Sequence, residues 1–313
     1  MSIDQRILTA RTDHVPLGIV FMLGATLLFS ASFAVSKWQV ARYSFAEVLF
    51  FRSLGSLLIC TLLIIPQCGL TVLRTHRLTG YIGRCVAQGV AQSCITIAVA
   101  SMSLGGASAI NFSAPLFATL AAAIWLKERI GPVRGAVLVI GFLGVLLVAA
   151  PDASMLRTGA LFALINAVLY GGVTAVVRGM SKTESAETQT IYQMVILTLF
   201  FAVSLPIFGF AWPGNRDLAA MLISGVVNGI GQYLWTRSLT LAPPAAVGPF
   251  FYFSLIWAMV LGFIFWGDVP SLTLLAGSAV VVGSGLFLLW HERGRRPLAA
   301  DTHAVSKGGG AAR

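Results

Sequence analysis

Charge is the scarcest resource in this chain of 313 residues. Only 10% of positions are Asp, Glu, Lys or Arg, where a soluble domain carries about a quarter. Hydrophobic residues reach 57% and the mean hydropathy is +0.87. A core of this length cannot hide that much apolar surface from water, so the expected solvent is lipid. Acidic residues are rarer than basic ones, 11 against 21, for a net charge of +10. A basic excess also suits nucleic-acid binders. Here no basic cluster interleaves with aromatics and no nucleic-acid module is recognisable, so no nucleic-acid partner is expected. Cysteine is sparse too. Cys60, Cys68, Cys85 and Cys94 lie in or beside apolar runs without a CxxC spacing, and they read as small buried hydrophobes. HExxH, GxSxG and paired carboxylates within apolar segments are missing, which argues against an intramembrane enzyme. No metal and no cofactor are expected. The opening MSIDQRILTARTDHVPLG lacks the basic start, short apolar run and cleavage site of a signal peptide. The first apolar run is therefore expected to remain as a span.

What the chain has in abundance is apolar runs near the roughly 20 residues that cross a bilayer. Ten are expected: 17–36, 46–65, 79–100, 107–126, 133–150, 157–177, 189–209, 217–238, 246–266 and 271–290. Pro66, Gly105-Gly106, Gly131-Pro132, Pro151, Pro206 to Pro213 and Pro243-Pro244 separate them. The expectation is an all-α polytopic membrane protein. With the N-terminus in the cytoplasm, the inner side carries fourteen basic residues: Arg6, Arg11, Arg74, Arg77, Lys127, Arg129, Arg134, Arg178, Lys182, Arg293, Arg295, Arg296, Lys307 and Arg313. The outer side carries four, Lys37, Arg42, Arg157 and Arg216. That imbalance predicts both termini inside. Trp38, Trp125, Trp212, Trp266 and Trp290 sit near span ends and read as interfacial belt residues.

The second half echoes the first. GVAQ at 89–92 matches GIGQ at 229–232, an offset of 140. At that offset Gln88 faces Asn228, Gln92 faces Gln232, and Glu128 faces Asp268. At 141, Lys37 matches Arg178 and Phe29 matches Tyr170. Several matches at one offset indicate duplication. Because each copy holds five spans, the second enters from the opposite side, giving two inverted five-helix repeats in ten transmembrane helices. The expected organisation is a cytoplasmic segment at 1–16, repeats at 17–150 and 151–290, and a disordered cytoplasmic tail at 291–313 whose first arginines lie near anionic headgroups.

Residues 113–148, SAPLFATLAAAIWLKERIGPVRGAVLVIGFLGVLLV, hold Pro115, then Glu128 after a small-residue stretch, then Gly135 and Gly141. This segment resembles the signature of the EamA family of the drug/metabolite transporter superfamily. SFAVSKW at 32–38 and FFRSL at 50–54 are similar to that family's first two helices. The second half departs from it, with Asp268 in place of the usual Glu and no Pro in register with Pro115. The resemblance covers about residues 15–290. It implies a ten-helix inner-membrane carrier of small metabolites with both termini inside. Within the family the chain is most similar to bacterial aromatic amino-acid exporters, so export of amino acids or related metabolites is expected. An uptake carrier for a nucleoside-like or cationic metabolite is the alternative.

An inverted repeat places its substrate site near the midplane between the copies. Polar groups at that depth are costly unless they face the interior. Gln88 and Gln92, with Asn228 and Gln232, are the first candidates, since each amide offers donors and an acceptor. Interhelical bonding, at about 0.6 kcal/mol per bond, is the plain alternative for them. Ser30, Ser32, Phe33, Asn111, Asn166, Tyr170, Trp235, Tyr252 and Trp257 form a second, polar and aromatic set able to stack on a substrate. Pro115 and Pro249 are candidate gating hinges. Arg52, Arg84 and Arg237 lie within spans. Snorkelling to water is the ordinary expectation for them, a Glu47 partner is an alternative for Arg52, and carboxylate binding is the functional one. Glu128 reads as a structural partner of its basic neighbours. Apart from Glu47 and Asp217, both at span ends, no carboxylate or His falls in a span, which argues against a simple proton-coupled carrier.

Overall fold

The computed structural model describes residues 15–75, 77–114, 116–117, 120, 132–149, 154–180, 184–241 and 244–293. Among them there is no β-strand. In chain order the helices are α1 (Val15–Gln39), α2 (Phe45–Cys68) with a 3-10 turn (Gly69–Leu73), α3 (Leu78–Ser101), α4 (Leu104–Asn111), α5 (Pro132–Ala149), α6 (Ser154–Met180), α7 (Ala186–Phe208), α8 (Asn215–Leu241), α9 (Pro244–Phe251), α10 (Phe253–Trp266) and α11 (Leu272–Arg293). Among the described residues, six helical stretches are long and apolar enough to cross a membrane, and three shorter apolar ones accompany them. Most of the fourth expected span, with Pro115, Trp125 and Glu128, lies outside the described residues. So do residues 1–14 and 294–313, while residues 291–293 of the expected tail end α11.

Local chemistry marks the helix ends. Ser44, Ser103 and Ser185 each accept a hydrogen bond from the backbone N–H three residues on, capping α2, α4 and α7. Gly69 and Gly267 end α2 and α10 at φ of 69° and 68°, a region glycine enters without a Cβ penalty. After α10, Gly267 N–H donates to Phe263 C=O and Asp268 N–H reaches back to Gly262 C=O. That paired closure turns the chain sharply and fixes Asp268 against the helix end.

The halves interlock instead of sitting side by side. α1 packs on α8 and α10, α2 on α7 and α8, α3 on α6 and α7, α4 on α6 and α10, and α5 on α11. Lipid gives apolar helices no hydrophobic reason to associate, so close backbone approach has to hold them. At the α2–α8 crossing Gly55 meets Gly225, and a Cβ on either would collide with the other helix's backbone. Ser56 Oγ donates to Gly225 C=O at 2.8 Å and Cys60 Sγ lies 3.6 Å from Gly229 C=O on the same seam. Gly144 and Gly277 make a comparable crossing between α5 and α11. Outward faces are greasy: Leu62, Leu199, Val203, Ile207 and Phe265 are all exposed. Cys60, Cys85 and Cys94 are buried as expected, whereas Cys68 is exposed at the helix end.

Candidate substrate site

Two helix interruptions meet in the interior. The expected span 246–266 is not continuous: α9 and α10 are separated at Tyr252, where Tyr252 N–H donates to Pro249 C=O three residues back. Pro249 lacks an N–H, which weakens the α-helical ladder just before the break. α4 likewise ends at Asn111, and Ser113 N–H turns to Ile110 C=O. Phe112 and Tyr252, 140 residues apart in sequence, pack with ring centroids 5.0 Å apart, and Phe251 closes on Phe112 at 5.8 Å. Both helix breaks therefore pack into one buried core with Ile110, Leu255 and Val281. The Tyr252 hydroxyl is buried there without a protein partner, and on α10 the Trp257 indole N–H is likewise buried and unpaired. Beside Phe112, Asn166 Nδ2 donates to Asn111 Oδ1 at 2.6 Å, joining α6 to α4.

A polar stripe runs along α3. Arg84, Gln88 and Gln92 recur every four residues, one helix face. Arg84 is 7% exposed and donates to Gln193 Oε1 at 2.7 Å and to Gln189 Oε1 at 3.2 Å, both on α7. Its Nε has no partner. Gln92 Oε1 accepts from Arg52 Nη2 of α2 at 3.3 Å. Arg52, 3% exposed, also donates to Ser36 Oγ and lies over the Phe33 ring at 5.4 Å. Gln88, between the two arginines on the stripe, has a buried amide oxygen without a partner.

This geometry overturns snorkelling for Arg52 and Arg84, which are held inside by neutral amides and a hydroxyl. Neither makes an ion pair among the described residues, and Glu47 instead takes the Ala211 N–H. Arg237 is exposed. Removing a guanidinium from water costs several kcal/mol, and amide oxygens offset only part of that. Gln189 and Gln193 were not singled out in the sequence, although they share the four-residue spacing of Gln88 and Gln92. Ser36 carried no signal of its own.

The remaining candidates divide. Asn228 Nδ2 donates to Ser56 Oγ at 3.1 Å, on the α2–α8 seam. Ser32 Oγ pairs with Ser224 Oγ at 3.1 Å, and Ser30 Oγ donates to Ser254 C=O. These three hold helices together. Gln232 and Trp235 are half-buried on α8, and Tyr170 is exposed on α6. The two glutamine-bearing helices, α3 and α8, do not pack broadly on one another, and α2 touches both. Among the described residues no group of three His, Cys, Asp or Glu converges as a metal site would.

The two ends of the bundle differ. At one, Lys37 Nζ donates to Asp268 Oδ2 at 3.3 Å and to Met102 C=O at 3.2 Å, and lies 4.9 Å from the centre of the Trp266 ring. This clasp joins α1, the end of α3 and the turn after α10. Trp266 is thereby part of a contact rather than only a belt residue. At the other end Glu184 accepts from Thr75 and Tyr81.

A sequence model of the EamA-like transporter family matches residues 16–150 and again residues 157–290. Over 297 residues the chain is 27% identical to a riboflavin transporter of Rhizobium johnstonii, covering 94% of this chain and 98% of that one. It is 28% identical to a pseudopaline exporter of Pseudomonas aeruginosa, covering 90% and 99%. It is 23% identical to an S-adenosylmethionine uptake transporter of Rickettsia conorii, covering 88% and 93%. A crystal structure with 18% sequence identity superposes with a TM-score of 0.63 over 90% of this chain and 99% of the other. It shares the fold.

Proposed function

The chain belongs to the EamA-like transporter family, and from that premise we propose a particular substrate class, orientation and working cycle. It is a multi-pass membrane transporter of small metabolites and not an enzyme. We place the Lys37 end outside and both termini in the cytoplasm of the bacterial inner membrane, following the basic-residue imbalance. The two matched stretches act as inverted repeats, and the substrate binds between them along the α3 stripe and the helix breaks, with Gln88, Gln92, Asn111, Asn166, Tyr252 and Trp257 nearest to it. Pro249 is the hinge at one break, and Pro115, three residues after Phe112 in the sequence, is the second proposed hinge.

One observation carries the cycle: the Lys37 clasp seals one end with a breakable ion pair that spans both halves. The hollow there is about 20 Å³. The one at the Glu184 end, about 400 Å³, is a surface hollow lined by Cys68, Thr71, Arg74, Glu184 and their neighbours, and none of the proposed substrate residues line it. Export of amino acids, aromatic ones included, is our substrate reading, because buried arginines disfavour the cationic alternative. A flavin-sized neutral substrate is the second reading, favoured by the identity to riboflavin transporters.

The test uses a version without native cysteines, carrying Lys37→Cys and Asp268→Cys, in liposomes loaded with radiolabelled amino acids or riboflavin. A short bis-thiosulfonate, which forms a disulfide with each cysteine by displacing a sulfinate, should abolish flux, and reductant should restore it. Unchanged flux after cross-linking would remove the cycle; no saturable flux of any amino acid would remove the substrate reading.

A further inference from the structure

We infer that the α3 stripe is an anion track with two guanidinium stations, and that the transported molecule carries a carboxylate. The inference deepens the substrate reading above and rests on the same site. Arg52 and Arg84 are both buried, and each is held by side-chain acceptors that are neutral. Gln oxygens orient a guanidinium without neutralising it. A buried cation within a membrane span marks a functional site by default, and a guanidinium fork fits a carboxylate in bidentate fashion.

Arg84 Nε is a buried donor without an acceptor, the vacancy a carboxylate would fill. Gln88 Oε1 is buried without a donor, a vacancy that suits an ammonium or hydroxyl on the same molecule. Gln88 also brings an amide N–H₂ to the middle of the track. The stations are about 12 Å apart along α3, from eight residues at about 1.5 Å each. Arg52, beside Ser36, is nearer the Lys37 end. Arg84, bonded to α7, is nearer the Glu184 end. A carboxylate passes from one guanidinium to the other while Gln88 holds it between them.

Duplication does not supply these stations symmetrically. The position 141 residues after Arg52 is Gln193, and the position 140 after Arg84 is Ser224. Both arginines come from the first half, and the second half contributes the amides that orient Arg84.

The test is thermal unfolding of the full chain in detergent with millimolar phenylacetate, phenylalanine and succinate, set against phenylacetamide, phenylalaninamide and succinamide. Binding to the folded form raises the midpoint. The expected result is a rise of several degrees with carboxylates and none with amides. Arg52→Gln and Arg84→Gln should each cut the carboxylate effect at least tenfold in apparent affinity, and Arg52→Lys should keep part of it. Amides matching their carboxylates, or carboxylates giving no shift, would overturn the inference without needing any variant. An undiminished carboxylate shift in both Gln variants would overturn it too. Carboxylate binding without flux of any amino acid would sink the amino-acid reading and leave the track standing.

Discussion

The Lys37 end and the Glu184 end are held by different chemistry. At the first, a cation is shared by a carboxylate, a backbone carbonyl and a tryptophan face. At the second, a carboxylate is held by Thr75 and Tyr81, and Tyr81 stacks on Tyr192 at 4.9 Å while Tyr192 donates to Leu73 C=O. The first contact involves opposite charges with 12% and 32% side-chain exposure, so it weakens once water enters. The second is made of hydroxyl bonds and ring contact, which tolerate water. On the proposed cycle the ion pair is the seal that opens, and the hydroxyl cluster is the brace that stays.

The comparison breaks most visibly at Asp268. Asp268→Ala leaves Lys37 half-enclosed without its counter-ion, at a cost of about 1–2 kcal/mol. In a cysteine-free version, a cysteine introduced at Ser36 should then react about tenfold faster with a membrane-impermeant thiol reagent added at that end, a factor of ten being about 1.4 kcal/mol. The exchange of Lys37→Asp with Asp268→Lys should restore most of the slow rate. Equal labelling in all three proteins would deny that the clasp seals anything. Glu184→Gln should matter less: an amide oxygen still accepts from Thr75, so a loss of under about 1 kcal/mol is expected in thermal unfolding. A larger loss would make that end the seal. The smallest effect concerns Tyr43, whose hydroxyl donates to Asp217 at 2.7 Å. That bond, then partial desolvation, raises its pKa above the usual 10.0. A raised value means the bond's contribution is complete below pH 10 and fades as pH climbs through the folded value. Ultraviolet titration should show one tyrosine moving to lower pH in Asp217→Asn, and no movement would exclude the bond.

Much of this architecture was legible in the sequence because lipid demands long apolar runs and punishes everything else. Spans 46–65 and 79–100, for instance, fall inside α2 and α3, which extend only a few residues beyond them. The helix breaks were less legible. Composition stays apolar through Phe112 and Tyr252, and only Pro249 hinted at one of them. The site was half legible. Its α3 stripe stood out as amides in grease, but the arginines' acceptors depend on which helix faces which, and hydropathy does not encode that. Sequence symmetry does not carry over to bonding partners. Asn228 aligns with Gln88, yet it serves the α2–α8 seam.

That seam has a consequence for how the molecule moves. Gly55 and Gly225 bring two backbones into contact, stitched by Ser56, and such a joint cannot slide without losing its fit. α2 from the first half and α8 from the second must then travel as one piece. On the proposed cycle the moving parts would thus combine helices from both matched stretches, and the bend would fall elsewhere than at the boundary between them.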